Sequence, residues 1–392
     1  MGQNNQERTP LPGEMRSLGY PRLDVLRGTK QGGPPSGDRE CGTGGDPAIY
    51  KEKIARLPID TGRTLGGERR VRSLGAAGEP RGRMPQYELR AAGVPPMQEK
   101  RGARAGSPPA EELLTACRLC PRKCGVNRLD GERGFCGAGR LARVAAVSVH
   151  HGEEPPISGT RGSGTIFFSH CNMKCLFCQN YPISQYGNGR EMDTETLAGE
   201  MLRIREQGVH NVNFVTPTPH VPQMLEAVLL ARGKGFDLPV VYNTNGYDAL
   251  ETLALLDGVV DIYLPDAKYL SSELADTASG TLDYARHNEA AIAEMVRQVG
   301  FLSAGDEGIA TRGVLVRHLV LPGKVGETEA VLAHLSERHG PELPLSLMGQ
   351  YFPAWRAAAT DGFDRKLARK EYDRAIEAAE RLGFRNVFIQ ER

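Results

Sequence analysis

Seven of the eight cysteines of this 392-residue chain fall between residues 117 and 178, in two distinct spacings. Thiols that dense are either cross-linked or hold metal. The N-terminus lacks a charged segment followed by an apolar stretch, so no secretory signal is expected, and no run of 18 apolar residues predicts a transmembrane helix. In a chain without secretory features, clustered cysteines point to metal ligation in a reducing cytoplasm rather than to disulfides. The net charge of +1 gives no reason to expect a nucleic acid or membrane partner.

The first spacing is C-x3-C-x2-C: Cys171, Cys175 and Cys178 in CNMKCLFC, directly after the apolar run TIFF at 165–168 and Ser169-His170. Thiolates are the natural ligands of iron–sulfur clusters. A [4Fe–4S] cube has four irons, and three thiolates leave one iron open to a further ligand. Two other readings stand beside it: zinc with His170 as fourth ligand, or three inert thiols. Phe177 offers a flat ring for adenine stacking or for packing beneath a cluster. The second spacing is x2, x3 and x11: Cys117, Cys120, Cys124 and Cys136, with Gly125 and Gly137 following two of them. Four thiolates give a coordinatively closed site, either zinc or a second iron–sulfur cluster, structural or electron-relaying.

The chain divides into three parts. Residues 1–110 hold 19 Gly and 13 Pro, and 19 Lys+Arg against 12 Asp+Glu. That composition, without apolar periodicity, reads as a disordered low-complexity tail. It is either a basic arm for an acidic partner or a floppy extension preceding a true start at Met84 or Met97, and Cys41 within it is incidental. Residues 111–160 form a four-cysteine metal-binding segment. From 161 to 392, seven apolar runs alternate with helical stretches. The strands are expected at Thr165–Phe168, Asn211–Val215, Pro239–Tyr242, Asp261–Leu264, Val314–Val320, Leu345–Met348 and Asn386–Ile389. Between them helices are expected at Thr194–Gln207, Val221–Arg232, Asp248–Leu256, Tyr284–Val299, Thr328–Arg338 and Lys370–Leu382. The fold class is thus α/β: βαβ units building a full or partial (β/α) barrel of the TIM type, or else an open doubly wound sheet. In a barrel, chemistry gathers at the C-terminal ends of the strands.

The loop resembles that of radical S-adenosylmethionine proteins, and CNMKCLFCQN resembles the pyruvate formate-lyase activating enzymes. The wider set CRLCPRKCGVNR (117–128), GERGFCG (131–137), EEPPISGT (153–160), VTPTPHVPQ (215–223), YNTNGY (242–247), DIYLPDAKY (261–269) and VRHLVLPG (316–323) is similar to the PflX-type subgroup. The resemblance starts near Glu111 and runs to the C-terminus. It implies a barrel of the radical S-adenosylmethionine type and an oxidoreductase. Its [4Fe–4S] cluster would cleave S-adenosylmethionine to a 5′-deoxyadenosyl radical that abstracts hydrogen. It also implies a glycyl radical enzyme as protein partner and an electron donor such as flavodoxin or ferredoxin.

The same resemblance assigns the strand ends to the cosubstrate. Thr216 and Thr218 stand where activating enzymes carry Gly-Gly-Glu for the amino group. Asn243 stands where they carry an Asp for a monovalent cation, and Asn245 follows as a ligand-facing residue. Asp266 and Lys268 match a pair near the ribose and sulfonium, and Arg317 matches the position whose guanidinium meets the methionyl carboxylate. His318 is expected to be structural. Gln350 and Tyr351 match a strand-end motif of unassigned role. His150, His151, Glu153 and Glu154 read either as a surface network or as a substrate mouth with acid–base capacity. Two other functions stay open from sequence: the same radical chemistry on a small molecule or a different protein, and a non-catalytic metal-binding or electron-transfer protein.

Overall fold

The computed structural model describes Val71–Ser73, residues 112–305 and residues 307–390. The tail expected over 1–110, with Cys41, lies outside the described residues except at Val71–Ser73. Along the chain the elements are β1 (Val71–Ser73), α1 (Glu112–Thr115), β2 (Ala142–His150), α2 (Pro155–Ser158), β3 (Ser163–Phe168), α3 (Tyr181–Ser184), β4 (Arg190–Met192), α4 (Thr194–Arg205), β5 (Val212–Val215), α5 (Val221–Gly233) and β6 (Val240–Thr244). There follow α6 (Leu250–Leu256), β7 (Ile262–Pro265), α7 (Ser272–Ser279), α8 (Tyr284–Val299), β8 (Ser303–Ala304), β9 (Ala310–Val314), β10 (Val316–Leu319), α9 (Val325–His339), β11 (Leu345–Met348), α10 (Arg369–Arg381) and β12 (Val387–Gln390).

The central strands are covered on both faces. Every residue of VVYNT in β6 and IYLP in β7 is buried, which is why they read as continuous apolar runs rather than alternating ones. The helices bury one stripe each. In α4, Leu197, Ala198, Met201 and Ile204 face the core, and Asp193 caps the start by accepting from the Thr196 amide at 2.8 Å. In α8, Asn288, Ala291, Ile292, Met295 and Val299 do the same before Gly300, at φ 73°, ends the helix.

Strands β3, β5, β6, β7 and β9 pair in parallel in that order, and β10, β11 and β12 pair in parallel. Leu315 divides β9 from β10, and a parallel bridge between Asp266 and Arg317 carries the sheet across that break. The outer strands are β4, antiparallel to β2, β1, antiparallel to β12, and the two-residue β8, antiparallel to β9. These ends are not paired with each other among the described residues, so of the full and partial barrels the arrangement is the open one. Parallel pairing sends the C-terminal ends of β3, β5, β6, β7, β10 and β11 to one side. Cys171, Thr216, Asn245, Asp266, Arg317 and Gln350 gather there.

Several elements differ from the sequence expectation: the strand expected at Val314–Val320 is split at Leu315 into β9, which begins at Ala310, and β10, and the short elements β1, β4, β8, α1, α2 and α3 were not expected. The 111–160 segment contributes β2, which pairs antiparallel with β3 from Val144 to His150 and so joins the sheet. Its alternation is weak because Ala, Ser and Arg dilute the apolar face. Helix α7 was not expected either. Ser271 caps it, accepting from the Leu274 amide at 3.1 Å, and Gly280 at φ 62° ends it, two signals readable in the sequence. Among the described residues no helix is long and apolar enough to cross a membrane.

Candidate cofactor and metal sites

The three-cysteine loop leaves β3 through His170, which adopts φ 70°, a conformation few non-glycine residues take. Cys171 is buried, and Cys175 and Cys178 are partly so. Each sulfur already receives hydrogen-bond donors. The Met173 amide and Asn245 Nδ2 point at Cys171 Sγ, at 3.4 and 3.3 Å. Ser279 Oγ donates to Cys175 Sγ at 3.0 Å, and Ser184 Oγ lies 3.2 Å from Cys178 Sγ. Burial pushes the free thiols up, Cys171 to about 12 and Cys178 to about 11. Sulfurs surrounded by donors yet hard to ionise alone are suited to a cationic group that compensates their charge. The donor set therefore fits an iron–sulfur cluster, with Cys171, Cys175 and Cys178 as its ligands. Among the described residues no three His, Cys, Asp or Glu side chains converge tightly enough to hold a metal ion as they stand.

Beside the loop lies a chain of buried ion pairs. Lys268 Nζ is 2.6 Å from Asp266 Oδ2, and Arg317 Nε is 3.3 Å from Asp266 Oδ1. Arg317 also reaches Glu153 Oε2 at 3.2 Å and Asn243 Oδ1 at 2.7 Å. Burial opposes ionisation of Asp266, but Lys268 and Arg317 outweigh it and hold the carboxyl below its usual range. Glu153 goes the other way. Burial raises it to about 7, only partly offset by Arg317. Negative charge on Asp266 and on Cys175 likewise overcomes the burial of Lys268 and raises its pKa. Three carboxylates, those of Glu153, Glu154 and Asp266, and two cations thus meet at the strand ends. Two buried acceptors there, Glu154 Oε2 and Asn213 Oδ1, have no hydrogen-bond partner within the protein.

The expected residues divide by what they touch. Asn245, Asp266, Lys268 and Arg317 sit together at the strand ends with the loop. Glu153 and Glu154 join them rather than standing in a surface network, because residues 153–154 immediately follow the turn out of β2. Asn243 Oδ1 accepts from Arg317 Nη2 at 2.7 Å. Phe177 is buried against Tyr351, 5.7 Å between centroids, and Phe363, 6.5 Å and stacked at 12°. Thr216 adopts φ 58°, strained for a β-branched residue, with its amide donating to the Asn243 carbonyl at 2.9 Å. Thr218 is engaged elsewhere: it donates to Asp248 Oδ1 at 2.8 Å. Tyr242 and Thr244 also donate to Asp248, at 2.9 and 2.6 Å, tying the ends of β5 and β6 together. His318 is structural as expected, held between the Ala267 carbonyl at 2.6 Å and Thr328 Oγ1 at 2.9 Å, and burial lowers it to about 4. Gln350 accepts from Gln179 and from Gln390. Ser184, Ser279, Asn172 and Asp248 were not singled out in the sequence, since lone polar residues carry no spacing signal.

Cys117, Cys120, Cys124 and Cys136 line one cavity, which Asn172 of the three-cysteine loop also borders. Backbone amides of Phe135 and Ala138 point at Cys124 and Cys136 Sγ, each at 3.5 Å. Gly125 at φ 69° and Gly137 at φ 82° make the turns that allow this. Burial pushes Cys120 up to about 12 and raises Cys136 as well.

Residues 165–332 match the Radical SAM superfamily. Uncharacterized protein MJ0674 of Methanocaldococcus jannaschii is 29% identical over 280 residues, covering 69% of this chain and 76% of that protein. Uncharacterized protein MJ0808 of the same organism is 29% identical over 157 residues, covering 36% of this chain and 46% of that one. Among solved structures, Streptococcus suis SuiB bound to precursor peptide SuiA aligns with a TM-score of 0.39 at 10% identity, over 56% of this chain; the alignment spans 46% of SuiB. The part of the chain that matches the Radical SAM superfamily, residues 165–332, lies within an α/β fold with a mostly parallel sheet.

Proposed function

We propose that the chain is an enzyme that reductively cleaves S-adenosylmethionine at a [4Fe–4S] cluster held by Cys171, Cys175 and Cys178. The observation that carries this reading is the position of the loop: three donor-surrounded thiols beside the Asp266–Lys268–Arg317 ion pairs at the strand ends. When bound, the cluster supplies the electron that breaks a carbon–sulfur bond of the cosubstrate and gives a 5′-deoxyadenosyl radical.

The remaining work falls to side chains. Arg317 presents a planar guanidinium suited to a ligand carboxylate, exchanging Glu153 or Asp266 for it. Asp266 then accepts from ribose hydroxyls, and Lys268 holds it in place. The partnerless acceptors Glu154 Oε2 and Asn213 Oδ1 suit an ammonium donor. Asn245 keeps Cys171 oriented by donating to its sulfur, and Asn172 Oδ1 anchors Asn245 at 2.7 Å. Phe177 closes the floor with Tyr351 and Phe363 and excludes water. The radical's target, in this reading, is a backbone glycine of a glycyl radical enzyme, with flavodoxin or ferredoxin as electron donor in the cytoplasm.

The test is anaerobic reconstitution with iron and sulfide, reduction, and addition of S-adenosylmethionine. 5′-Deoxyadenosine should form and fall to background in Cys175→Ala. Undiminished formation in that variant overturns the reading. Incubation of the active protein with glycyl radical enzymes should give a glycyl doublet by electron paramagnetic resonance. Its absence with every such partner, while 5′-deoxyadenosine still forms, moves the substrate to a small molecule or another protein.

A further inference from the structure

The three-cysteine loop starts from a strained residue. His170 adopts φ 70°, where a β-carbon is crowded against its own backbone, and such a conformation persists only when the surroundings fix it. The angle φ relates a residue's Cα to the rigid peptide plane before it, here the plane between Ser169 and His170. Both polar groups of that plane are held. The His170 amide donates to the Ile183 carbonyl at 2.9 Å, and the Ser169 carbonyl accepts from His220 Nε2, also at 2.9 Å.

The two partners come from different parts of the chain. Ile183 lies in α3, just after Cys178, so its bond closes the loop at its base. His220 lies between β5 and α5, and its ring stacks on Phe168, the last residue of β3, with 5.0 Å between centroids. His220 is fully buried, and burial lowers it to about 3, so its ring is neutral and carries one hydrogen. That hydrogen sits on Nε2, because a carbonyl can only accept. Nδ1 is buried with no hydrogen-bond partner among the described residues. A bare buried nitrogen is destabilising, and a phenylalanine would stack on Phe168 without one. What the imidazole adds is the bond to Ser169.

The ring of His170 is fitted to the same conformation. A β-carbon on Gly187 would lie 2.6 Å from its Cε1, and one on Gly137 would lie 3.2 Å from its Nδ1. The ring therefore sits against two residues that leave room for it, one beyond Cys178 and one directly after Cys136. We propose that His220 is a positioning residue of the cofactor site: by holding the Ser169–His170 peptide it sets His170 in the left-handed conformation and aims Cys171. The link to the cofactor rests on Cys171 being a cluster ligand, whereas the hold on the peptide does not.

The test reads Cys171 in the metal-free full chain, so it does not depend on S-adenosylmethionine chemistry. Timed iodoacetamide labelling, resolved by peptide mass spectrometry, gives a rate for each cysteine. His220→Phe keeps a ring against Phe168 and removes the donor. Losing one hydrogen bond to a buried carbonyl should let Cys171 open and label about tenfold faster. Cys178, held by Ser184, should change little. His220→Gln puts an amide nitrogen near the place of Nε2 and should bring Cys171 most of the way back. An unchanged Cys171 rate in His220→Phe overturns the proposal. So does equal acceleration of Cys171, Cys175 and Cys178, or a glutamine variant no better than phenylalanine, since either assigns His220 to packing alone. If His220→Phe does not fold, the tautomer decides: nitrogen-15 spectra of histidine-labelled unaltered protein should show His220 protonated at Nε2, and a proton on Nδ1 overturns the proposal. After anaerobic loading, iron retention should follow the same order, with the unaltered and glutamine proteins above phenylalanine. If the labelling order holds but the unaltered loop binds no iron, the hold on Cys171 stands and the cluster reading fails.

Discussion

The two cysteine sites differ in what surrounds the sulfur. The loop at Cys171, Cys175 and Cys178 faces side-chain donors and a string of alternating charges, Glu153, Arg317, Asp266 and Lys268. The pocket of Cys117, Cys120, Cys124 and Cys136 faces backbone amides, apolar walls and two guanidinium groups, those of Arg122 and Arg128. Three thiols with polar neighbours leave room for a ligand to enter and exchange partners. Four thiols in an apolar wall leave none. The first set of thiols thus sits among polar and charged side chains, the second among apolar ones.

The strongest way to break this contrast is to remove one thiol from each site. Cys120→Ala should lower the melting temperature of the reconstituted protein by ~5 °C or more, because a metal held by the four thiols would also fasten residues 112–139 to the sheet. Cys175→Ala should leave melting nearly unchanged while 5′-deoxyadenosine is lost. Equal destabilisation by both, read by scanning calorimetry, would erase the distinction. Arg317→Met comes next. It leaves Glu153 without its cation and Asp266 with Lys268 alone, and a broken buried pair of this kind costs about 3–5 kcal/mol. Urea unfolding should show the loss, and KM for S-adenosylmethionine should rise more than kcat falls. Arg317→Lys should recover stability better than it recovers binding, because an ammonium supplies charge without the planar fork.

Asn245→Ala sharpens the comparison at a smaller scale. Its amide is one of two donors to Cys171 Sγ, and outer partners of metal ligands typically matter by about 10–100-fold in affinity or activity. Iron retention on gel filtration should fall in Asn245→Ala and be unaffected by Thr218→Val, whose hydroxyl serves Asp248. If both variants lose iron equally, the sulfur contact of Asn245 is not what matters.

How far the sequence carried these assignments depends on distance along the chain. The two thiol spacings are local, and so are the apolar runs, of which Leu345–Met348 and Tyr284–Val299 were placed without error at either end. Strand ends follow from strands, so Asp266, Lys268 and Arg317 could be aligned to one basin through resemblance. Partners far apart could not. Arg128 and Pro219, or Ser279 and Cys175, meet only after the sheet forms, and Arg128 in sequence is one basic residue among 49. Glu153 read as ambiguous because four titratable residues within five positions usually face water. Its burial depends on β2 pairing with β3, the strand whose weak alternation concealed it.

Glu153 provides the smallest predicted effect, and it bears directly on the charges at the strand ends. Its carboxyl is held near 7 in the folded protein, above its ordinary value of 4.5, chiefly by burial. The folded state therefore binds this proton more tightly than the unfolded chain does. The stability it contributes is fully present below pH 4.5 and is lost as pH rises through 7, at no more than about 1.4 kcal/mol per pH unit. Glu153→Gln removes that titration, so its stability should fall less between pH 5 and 7 than that of the unaltered protein in urea unfolding. Below pH 7 the network carries one negative charge fewer, and it then attracts a ligand carboxylate more strongly. S-Adenosylmethionine affinity should accordingly weaken from pH 6 to 8, and this dependence should vanish in Glu153→Gln. A steeper decline of stability in the variant, or an unchanged pH dependence of affinity, would mean that Glu153 stays ionised beside Arg317 throughout.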